Sequence, residues 1–320
     1  MTTTEKLIQM VIAIALFIGV MAAILLLTQR LKSRRGERIQ AVAFVGPALF
    51  LVAVGLLYPA VKTAYQSFFG ADGENFVGIE NYIDIFTNSG LLVVLRNTML
   101  WVLLVPTLST FIGLVYAVLV DRSRFEKLAK ALVFLPMAIS LVGASIIWKF
   151  VYEYKGTENT QIGLLNGVLK ALGFDTYNFL FYSPWNTLFL IVILIWIQAG
   201  FAMTILSASI KAIPDDIVEA ASLDGVSGLK MFFFITVPSI RPSLIVVLTT
   251  ISIGTLKVFD IVQTSTGGRF DTSVLAYEYY FQYFVSLNQG LAAALAVVIF
   301  ALVSPIIIYI VRQLRKLEAR

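Results

Sequence analysis

Seven long apolar stretches dominate this 320-residue chain and decide what it can fold into. Crossing a hydrocarbon layer of about 30 Å takes about 20 residues of α-helix, because each residue adds about 1.5 Å. The stretches that are long enough cover residues 7–28, 41–61, 94–120, 131–151, 187–209, 242–262 and 291–311. The sequence therefore predicts an all-α, polytopic membrane protein with about seven transmembrane helices.

The composition excludes several classes of protein. Apolar residues make up 59% of the chain and charged residues 13%, whereas soluble proteins carry roughly 25% charge. Cysteine and histidine are both absent from the sequence, which removes disulfides and the commonest general base and metal ligand. A membrane-embedded hydrolase or metalloenzyme is therefore a poor interpretation. The net charge of +5 is spread over short loops, so no nucleic-acid partner is expected.

The basic residues predict how the chain is oriented. Of the 24 lysines and arginines, 16 lie in the segments 29–40, 121–130, 211–241 and 312–320. Because basic residues collect in cytoplasmic loops, we expect these segments inside, the N terminus outside and the C terminus in the cytoplasm. The first apolar stretch ends in a basic run and no small-residue cleavage site follows it. It is therefore interpreted as an uncleaved helix and not as a signal peptide.

The segment 211–241 is predicted to form two short helices that meet at a glycine. Pro214 followed by two aspartates favours a helix start, because proline restricts φ and acidic side chains complement the helix dipole. Gly225 is placed to end this helix in the left-handed conformation. A second helix is predicted to begin three residues later and to stop at Pro238. From the residues alone, an interfacial helix pair that only caps the bundle stays open.

The same segment carries the motif that most narrows the interpretation. Glu219-Ala220-Ala221 is followed after three residues by Gly225 and, after nine more, by Ile235-x-Val237-Pro238. This spacing resembles the loop by which ABC importer permeases dock onto their ATPase subunit, with Val237 in place of leucine. The small Ala220 and Ala221 would let another surface approach closely.

Further stretches are similar to the carbohydrate branch of these permeases, and the resemblance covers about residues 40–315. Two departures matter: Arg269 follows a Gly-Gly pair where the family often has proline, and the first helix adds a span to the usual six. The stretches that carry the resemblance are Arg96-Asn97-Thr98, Gly113 with Ala117, Leu135-Pro136, Trp148, Gly163-Leu-Leu-Asn166, Phe259-Asp260, Thr266-Gly-Gly268 and Gly290-x-Ala292-Ala293.

The resemblance implies the permease subunit of a bacterial ABC importer in the inner membrane, with a sugar such as an α-glucoside oligosaccharide as substrate. Together with the apolar stretches it predicts an extra N-terminal helix and basic loop (1–40), a first core helix and outer loop (41–91), a transmembrane domain (92–312) and a tail (313–320). The implied docking residues are Glu219, Ala220, Ala221, Asp224, Gly225, Ile235 and Pro238.

The resemblance also implies partners. These are a second permease, ABC ATPase subunits, and an extracytoplasmic solute-binding protein that would deliver sugar to outer loops including residues 266–272. The chain has no Gly-x-x-x-x-Gly-Lys-[Ser/Thr] phosphate loop. ATP and Mg²⁺ are therefore expected on the ATPase subunits, while this chain is expected to bind no cofactor and to be no enzyme.

Polar and aromatic side chains in or beside the predicted spans are candidates for the translocation pathway, because polar groups are costly in a membrane. They are Trp196, Gln198, Lys257, Asp260, Gln263, Tyr277 and Tyr280. Lys257 and Asp260, three residues apart on a predicted helix, should share a face and pair. Structural alternatives stay open: a neutral pair that locks helices together, and tyrosines that mark the membrane interface.

Other transporters also remain open. An ABC permease for polyamine or glycerol phosphate should carry clustered acidic or basic residues in its spans, and Lys257 with Asp260 favours neither. An ion-coupled secondary transporter needs intramembrane carboxylates or paired repeats of broken helices, and only Asp260 comes close. A membrane-embedded enzyme or sensor should carry histidine, cysteine or clustered carboxylates, which the spans lack.

Overall fold

The computed structural model describes residues 3–28, 34–121 and 124–318, and the all-α prediction is confirmed. Within these ranges the one extended pairing is an isolated bridge between Phe69 and Phe76. The helices are α1 (Thr3–Thr28), α2 (Arg34–Val52), α3 (Tyr58–Gln66), α4 (Glu80–Thr87), α5 (Ser89–Val120), α6 (Glu126–Phe134), α7 (Leu141–Val151), α8 (Leu164–Ala171), α9 (Trp185–Lys211), α10 (Asp215–Leu223), α11 (Gly228–Met231), α12 (Val237–Ser239), α13 (Arg241–Thr255), α14 (Asp260–Ser265), α15 (Leu275–Tyr280) and α16 (Gln289–Glu318).

Short turns of other helix types interrupt the α-helical path. They are π turns at Ala53–Leu57, Phe232–Thr236 and Phe281–Val285, and a 3-10 turn at Leu135–Ala138. Tyr58 and Val237, which precede Pro59 and Pro238, donate to carbonyl groups five residues back. Proline has no N–H to give to the carbonyl four residues back, and the wider turn takes up that loss. The second helix of the 211–241 segment ends at Ser239, one residue beyond the predicted stop at Pro238.

Residues 1–65 and residues 66–320 form separate compact units. Side chains 41–65 of the first unit are half-buried or exposed and largely apolar, which suits helices solvated by lipid. The second unit contains both buried hydrophobic clusters. The finer predicted boundaries stay a prediction.

The larger cluster is built around α5 and α9, which pack along each other. At Gly113 of α5, a Cβ atom would lie 2.5 Å from the Cβ of Ala202 and 2.7 Å from the backbone nitrogen of Met203. Small residues commonly allow such close helix contacts in membrane proteins. Fully buried side chains along α5 and α9 include Trp101, Leu190, Ile193 and Leu206.

A smaller cluster joins α4, α5, α15 and α16. It contains the buried side chains Ile85, Leu91, Val94, Leu275, Leu291, Ala294, Leu295 and Val298. The start of α16 is held by a backbone hydrogen bond in which Gln289 donates to the carbonyl of Ala71 at 3.0 Å.

The described chain contains four helices that are long and apolar enough to cross a membrane, and six if two bent helix pairs each count as one span. The first predicted stretch forms α1. A total of seven spans stays a prediction. Some of the basic residues used for orientation lie outside the described residues, in 29–33, 122–123 and 319–320.

The predicted span 131–151 is broken, because the helical segments Glu126–Ala138 and Leu141–Val151 meet at 104°. Pro136 lies in the 3-10 turn between α6 and α7. The side chain of Ser140 then caps α7 by accepting the N–H of Gly143 at 3.1 Å. Such a cap satisfies a backbone N–H that has no partner in the first turn of a helix. A second helix can therefore begin here in a new direction.

The predicted span 242–262 is also interrupted. α13 ends at Thr255 and α14 begins at Asp260, and the side chains of Leu256 and Val258 are buried between them. Their burial stabilises the irregular segment, and α14 packs against α7. At its other end α13 meets the helix Gly228–Ser239 at 70°.

The long loop between α7 and α9 is folded around Asn166, which is fully buried. Its amide nitrogen donates to the carbonyl of Glu153 at 2.9 Å and to that of Tyr177 at 3.0 Å. Its amide oxygen accepts the N–H of Tyr177 at 2.8 Å. One side chain thus ties both ends of this loop around α8.

Candidate functional site

The 211–241 segment begins with the first of the two predicted helices. α10 starts at Asp215, directly after Pro214, which has a φ of −57°. Asp215 and Asp216 lie in its first turn, where their charges complement the positive end of the helix dipole. The predicted start is confirmed.

Gly225 ends α10 in the left-handed conformation, with a φ of +78°. Its N–H donates to the carbonyl of Ser222 at 3.0 Å, and the N–H of Val226 donates to that of Ala221 at 3.0 Å. This pair of bonds is the Schellman arrangement of helix ends, which places the left-handed residue just after the cap. The predicted glycine turn is confirmed.

The exposed face of α10 differs from the prediction at one alanine. Glu219, Ala220 and Asp224 are exposed, but Ala221 is buried within the chain at 7% exposure. Ala221 therefore offers no surface for close approach. Leu223 is 89% exposed at the end of the helix, and the sequence analysis did not single it out.

The second helix of this segment carries the rest of the motif. Ile235 lies in the π turn and is half-buried, and Pro238 follows it in α12 and is exposed. The hydroxyl of Ser239 donates to the carbonyl of Ile235 at 2.7 Å. Three large apolar side chains are exposed on this helix, Leu229, Phe233 and Phe234.

A cavity of about 580 Å³ separates part of this segment from the ends of α5, α6 and α9. It is lined on one side by residues of α10, α11 and the π turn and on the other by charged side chains of the bundle. The charged lining residues are Asp121, Glu126, Lys211 and Asp215.

Of the pathway candidates on α9, Trp196 and Gln198 are both half-buried. Trp196 makes an edge contact with Trp148 of α7, with 5.8 Å between ring centroids. Trp148 in turn lies 5.1 Å from the ring of Tyr152. Trp196 therefore belongs to an aromatic contact between α9 and α7.

The predicted shared face of Lys257 and Asp260 is wrong. Lys257 lies in the turn after α13 and is exposed, whereas Asp260 opens α14 and is half-buried. The ion pairs found among the described residues do not include one between them. Gln263 is exposed on α14.

Tyr277 and Tyr280 of α15 have different environments. Tyr277 is buried at 8% exposure, and its hydroxyl donates to the carbonyl of Gly267 at 2.7 Å. Its ring lies so close to Gly268 that a Cβ atom there would overlap it. Tyr280 is 36% exposed, and its ring lies 4.8 Å from that of Phe259.

The loop 266–272, which Tyr277 contacts, is held in an unusual backbone conformation. Gly267, Gly268, Phe270 and Asp271 all have φ between +58° and +69°, a region that non-glycine residues enter at a cost. Arg269 stands after the Gly-Gly pair, where the family often has proline. The φ angles give the conformation of the backbone on both sides of this departure.

Two buried asparagines hold this loop. Asn97 of α5 donates to the carbonyl of Asp271 at 2.6 Å and to that of Ser273 at 3.0 Å. Asn186 of α9 donates to the carbonyl of Phe270 at 2.6 Å. Both are fully buried. Sequence reasoning gave neither a role, although an amide in an apolar helix is a usable signal.

Comparison with known proteins decides the family. Residues 93–316 match the family described as "Binding-protein-dependent transport system inner membrane component". The chain belongs to this family. The permease is thus a multi-pass inner-membrane component of an ABC importer and not an enzyme, and the match includes every candidate site residue described above.

Two curated relatives are similar over most of their length. The osmoprotective compounds uptake permease protein GgtC of Synechocystis sp. is 45% identical over 86% of this chain and 99% of its own. The α-glucoside transport system permease protein AglF of Rhizobium meliloti is 46% identical over 84% of this chain and 81% of its own.

Solved structures support the fold of the permease. A chain of a bacterial ABC transporter involved in the import of the acidic polysaccharide alginate has a TM-score of 0.75 at 20% identity. The match covers 89% of this permease and 99% of that chain.

Proposed function

We propose that this permease moves a sugar across the membrane, and that the sugar is an α-glucoside or a related oligosaccharide. The observation that carries this is the 46% identity to a permease named for α-glucosides. A relative named for trehalose and maltose, from Thermococcus litoralis, gives further support at 30% identity.

A second class of substrate is favoured by a specific observation. The relative that matches over 99% of its own length is named for osmoprotective compounds. A permease of this type would accept an osmoprotective compound. Uptake measurements must therefore compare sugars with osmoprotectants.

The segment 211–241 is the ATPase-docking loop in this proposal, and α10 is its docking helix. The exposed Glu219, Ala220, Leu223 and Asp224 form the contacting surface, and Gly225 sets the direction in which the chain leaves it. Ile235 and Pro238 belong to the second helix of this loop, where Ile235 is half-buried and Pro238 is exposed. The ATPase subunits bind ATP and Mg²⁺ and, on closing, displace the docking helix.

The assembly contains a second permease, ATPase subunits and an extracytoplasmic binding protein. The docking loop lies in the cytoplasm, with the C terminus inside and the N terminus outside, as the distribution of basic residues favours. The loop 266–272 then lies outside, where the binding protein delivers its solute. The strained backbone of this loop supports a functional role.

The pathway lies beside α9, α13 and α14. Gln198, Lys257, Asp260 and Gln263 present polar groups that are half-buried or exposed within this chain, and Trp196 and Tyr280 add partly accessible rings. Tyr277 contributes by holding the outer loop through Gly267.

The test is purification of the tagged permease in mild detergent, followed by mass spectrometry of what accompanies it and by uptake into proteoliposomes. We expect a second permease and a subunit with a phosphate loop, and ATP-dependent uptake of radiolabelled maltose or trehalose. Uptake of glycine betaine instead would select the osmoprotectant class. Recovery of the permease alone, with uptake driven by an ion gradient, would overturn the proposal.

A further inference from the structure

Four charged side chains form one connected network at the base of the docking loop. Lys211, the last residue of α9, donates to Glu126 at 2.5 Å and lies 3.3 Å from Asp121. Glu126, the first residue of α6, also accepts from Lys130 at 2.6 Å. Lys130 donates in addition to the hydroxyl of Ser207 at 2.5 Å. The network thus joins α6 and α9 to the end of α5.

Lys211 is the member nearest to the docking helix. Only residues 212–214 separate it from α10, and they form a tight connection in which Ala212 donates to the carbonyl of Ala208 at 3.1 Å. A displacement of α10 therefore reaches Lys211 with little slack in the chain between them.

The docking loop reaches α5 and α6 through α9, which packs against both of these helices. A cavity of about 580 Å³ lies between the docking loop and the ends of α5 and α6, with Val218 and Met231 on the loop side and Asp121 and Glu126 on the bundle side. The ion pairs of Lys211 bridge the ends of the helices at the edge of this cavity.

The four side chains of this network are partly buried, which favours ion pairs that hold the helix ends together. Asp121, Glu126 and Lys130 are 15%, 23% and 25% exposed, and Lys211 is 49% exposed. Fully exposed ion pairs contribute little, whereas a carboxylate shared by two ammonium groups in a partly buried site is held more firmly.

We propose that Lys211 is a positioning residue that makes α5 and α6 move together with the docking helix, through the carboxylates of Asp121 and Glu126. This rests on the proposed docking function. It gives this side chain, at the junction of α9 and α10, a share in the coupling beside the direct packing of α5 and α6 against α9.

The test uses the assembled transporter and measures distances within this chain. The chain contains no cysteine, so Lys127→Cys on α6 and Ser222→Cys on α10, both exposed, can be spin-labelled before assembly with the partner subunits. With Lys211 present, the distance between the labels stays the same with and without ATP and vanadate, because α6 follows α10. In Lys211→Met the distance changes with nucleotide, and Lys211→Arg restores the wild-type behaviour.

Controls separate this inference from the docking proposal. Lys230→Met removes an exposed lysine of the same loop, outside the ion pairs found in the described chain, and should behave as wild type. If Lys211→Met does not assemble, Glu126→Gln serves as the second variant, with the same expected change in distance.

Three results would overturn the inference. They are a nucleotide-dependent distance in wild type, an unchanged distance in both variants, and failure of Lys211→Arg to restore the wild-type behaviour. Failure of the wild-type chain to bind an ATPase subunit at all would instead remove the docking proposal. The two failures are therefore distinguishable.

Discussion

The hydroxyl of Tyr277 donates to the backbone carbonyl of Gly267 at 2.7 Å, and the same ring fills the space beside Gly268. This relationship ties α15 to a loop whose backbone adopts the left-handed conformation at four positions. A side chain at Gly268 would collide with the ring, so the Gly-Gly pair and Tyr277 require one another. In the proposed orientation, this contact shapes the surface that meets the binding protein.

Removing the Tyr277 hydroxyl should loosen this loop. We expect Tyr277→Phe to lower the free energy of unfolding by about 1 kcal/mol, the usual worth of a hydrogen bond in a folded protein. The measurement is thermal unfolding in detergent, together with limited proteolysis at residues 266–272. Tyr283→Phe, at a ring that is 41% exposed, is the matched control and should behave as wild type. Equal behaviour of the two variants would contradict the role assigned to Tyr277.

The buried amide of Asn97 should matter more than a single hydrogen bond. Asn97→Ala leaves the carbonyl groups of Asp271 and Ser273 without their donor. We expect a loss of about 2 kcal/mol, because unsatisfied buried acceptors carry a desolvation cost. The same unfolding assay measures it. Asn159→Ala, which removes an exposed amide that donates to Lys155, should cost much less, and a comparable loss there would argue against our account.

The contact between α5 and α9 should be intolerant of added volume. Gly113→Val places atoms where Ala202 and Met203 already lie, and overpacking of a filled core costs about 1–3 kcal/mol. The yield of folded permease by size-exclusion chromatography checks this. Gly167→Val on α8, where nothing lies within 4 Å of the added Cβ, is the control. Folding of the Gly113 variant at the control's yield would show that the helices are less closely packed.

The chain leaves the docking helix through a left-handed turn at Gly225. Gly225→Asp forces a non-glycine residue into a left-handed turn, at about 1–2 kcal/mol, and adds charge to the surface that meets the ATPase. We expect insertion into the membrane to continue and co-purification of the ATPase subunit to be lost. Gly173→Asp imposes the same strain at φ +80° after α8 and should keep the ATPase. Retention of the ATPase by both variants would remove Gly225 from the docking contact.

How far the sequence predicts this fold depends on the scale of the feature. The helical class, α9 and the start and end of α10 follow from apolar run length and from Pro214 and Gly225, which act locally. The bend between α6 and α7 was not predicted, because its local signals, Pro136 and the cap by Ser140, lie inside an apolar run that was assessed by length alone. The break before Asp260 was missed for a different reason: burial of Leu256 and Val258 depends on distant helices.

The candidate site shows the same division. The motif from Glu219 to Pro238 was recognisable because its residues lie close together in the chain. Three features of the site arise from tertiary packing. They are the exposure of Leu223, the burial of Ala221, and the hydrogen bond from Asn97 to a loop about 170 residues away. Apolar run length carries no information on these contacts.

The central claim is that α10 meets the ATPase subunit, and site-directed cross-linking tests it most directly. Because the chain contains no cysteine, Leu223→Cys introduces a single reactive thiol at the exposed end of α10. A thiol-to-amine cross-linker is then applied to native membranes and the adducts are identified by mass spectrometry. Phe76→Cys, at a similarly exposed apolar position of the 67–79 loop, serves as the matched control. We predict that Leu223→Cys is joined to the subunit that carries the phosphate loop and that Phe76→Cys is not. Attachment of that subunit at residue 76 and not at residue 223 would contradict the account.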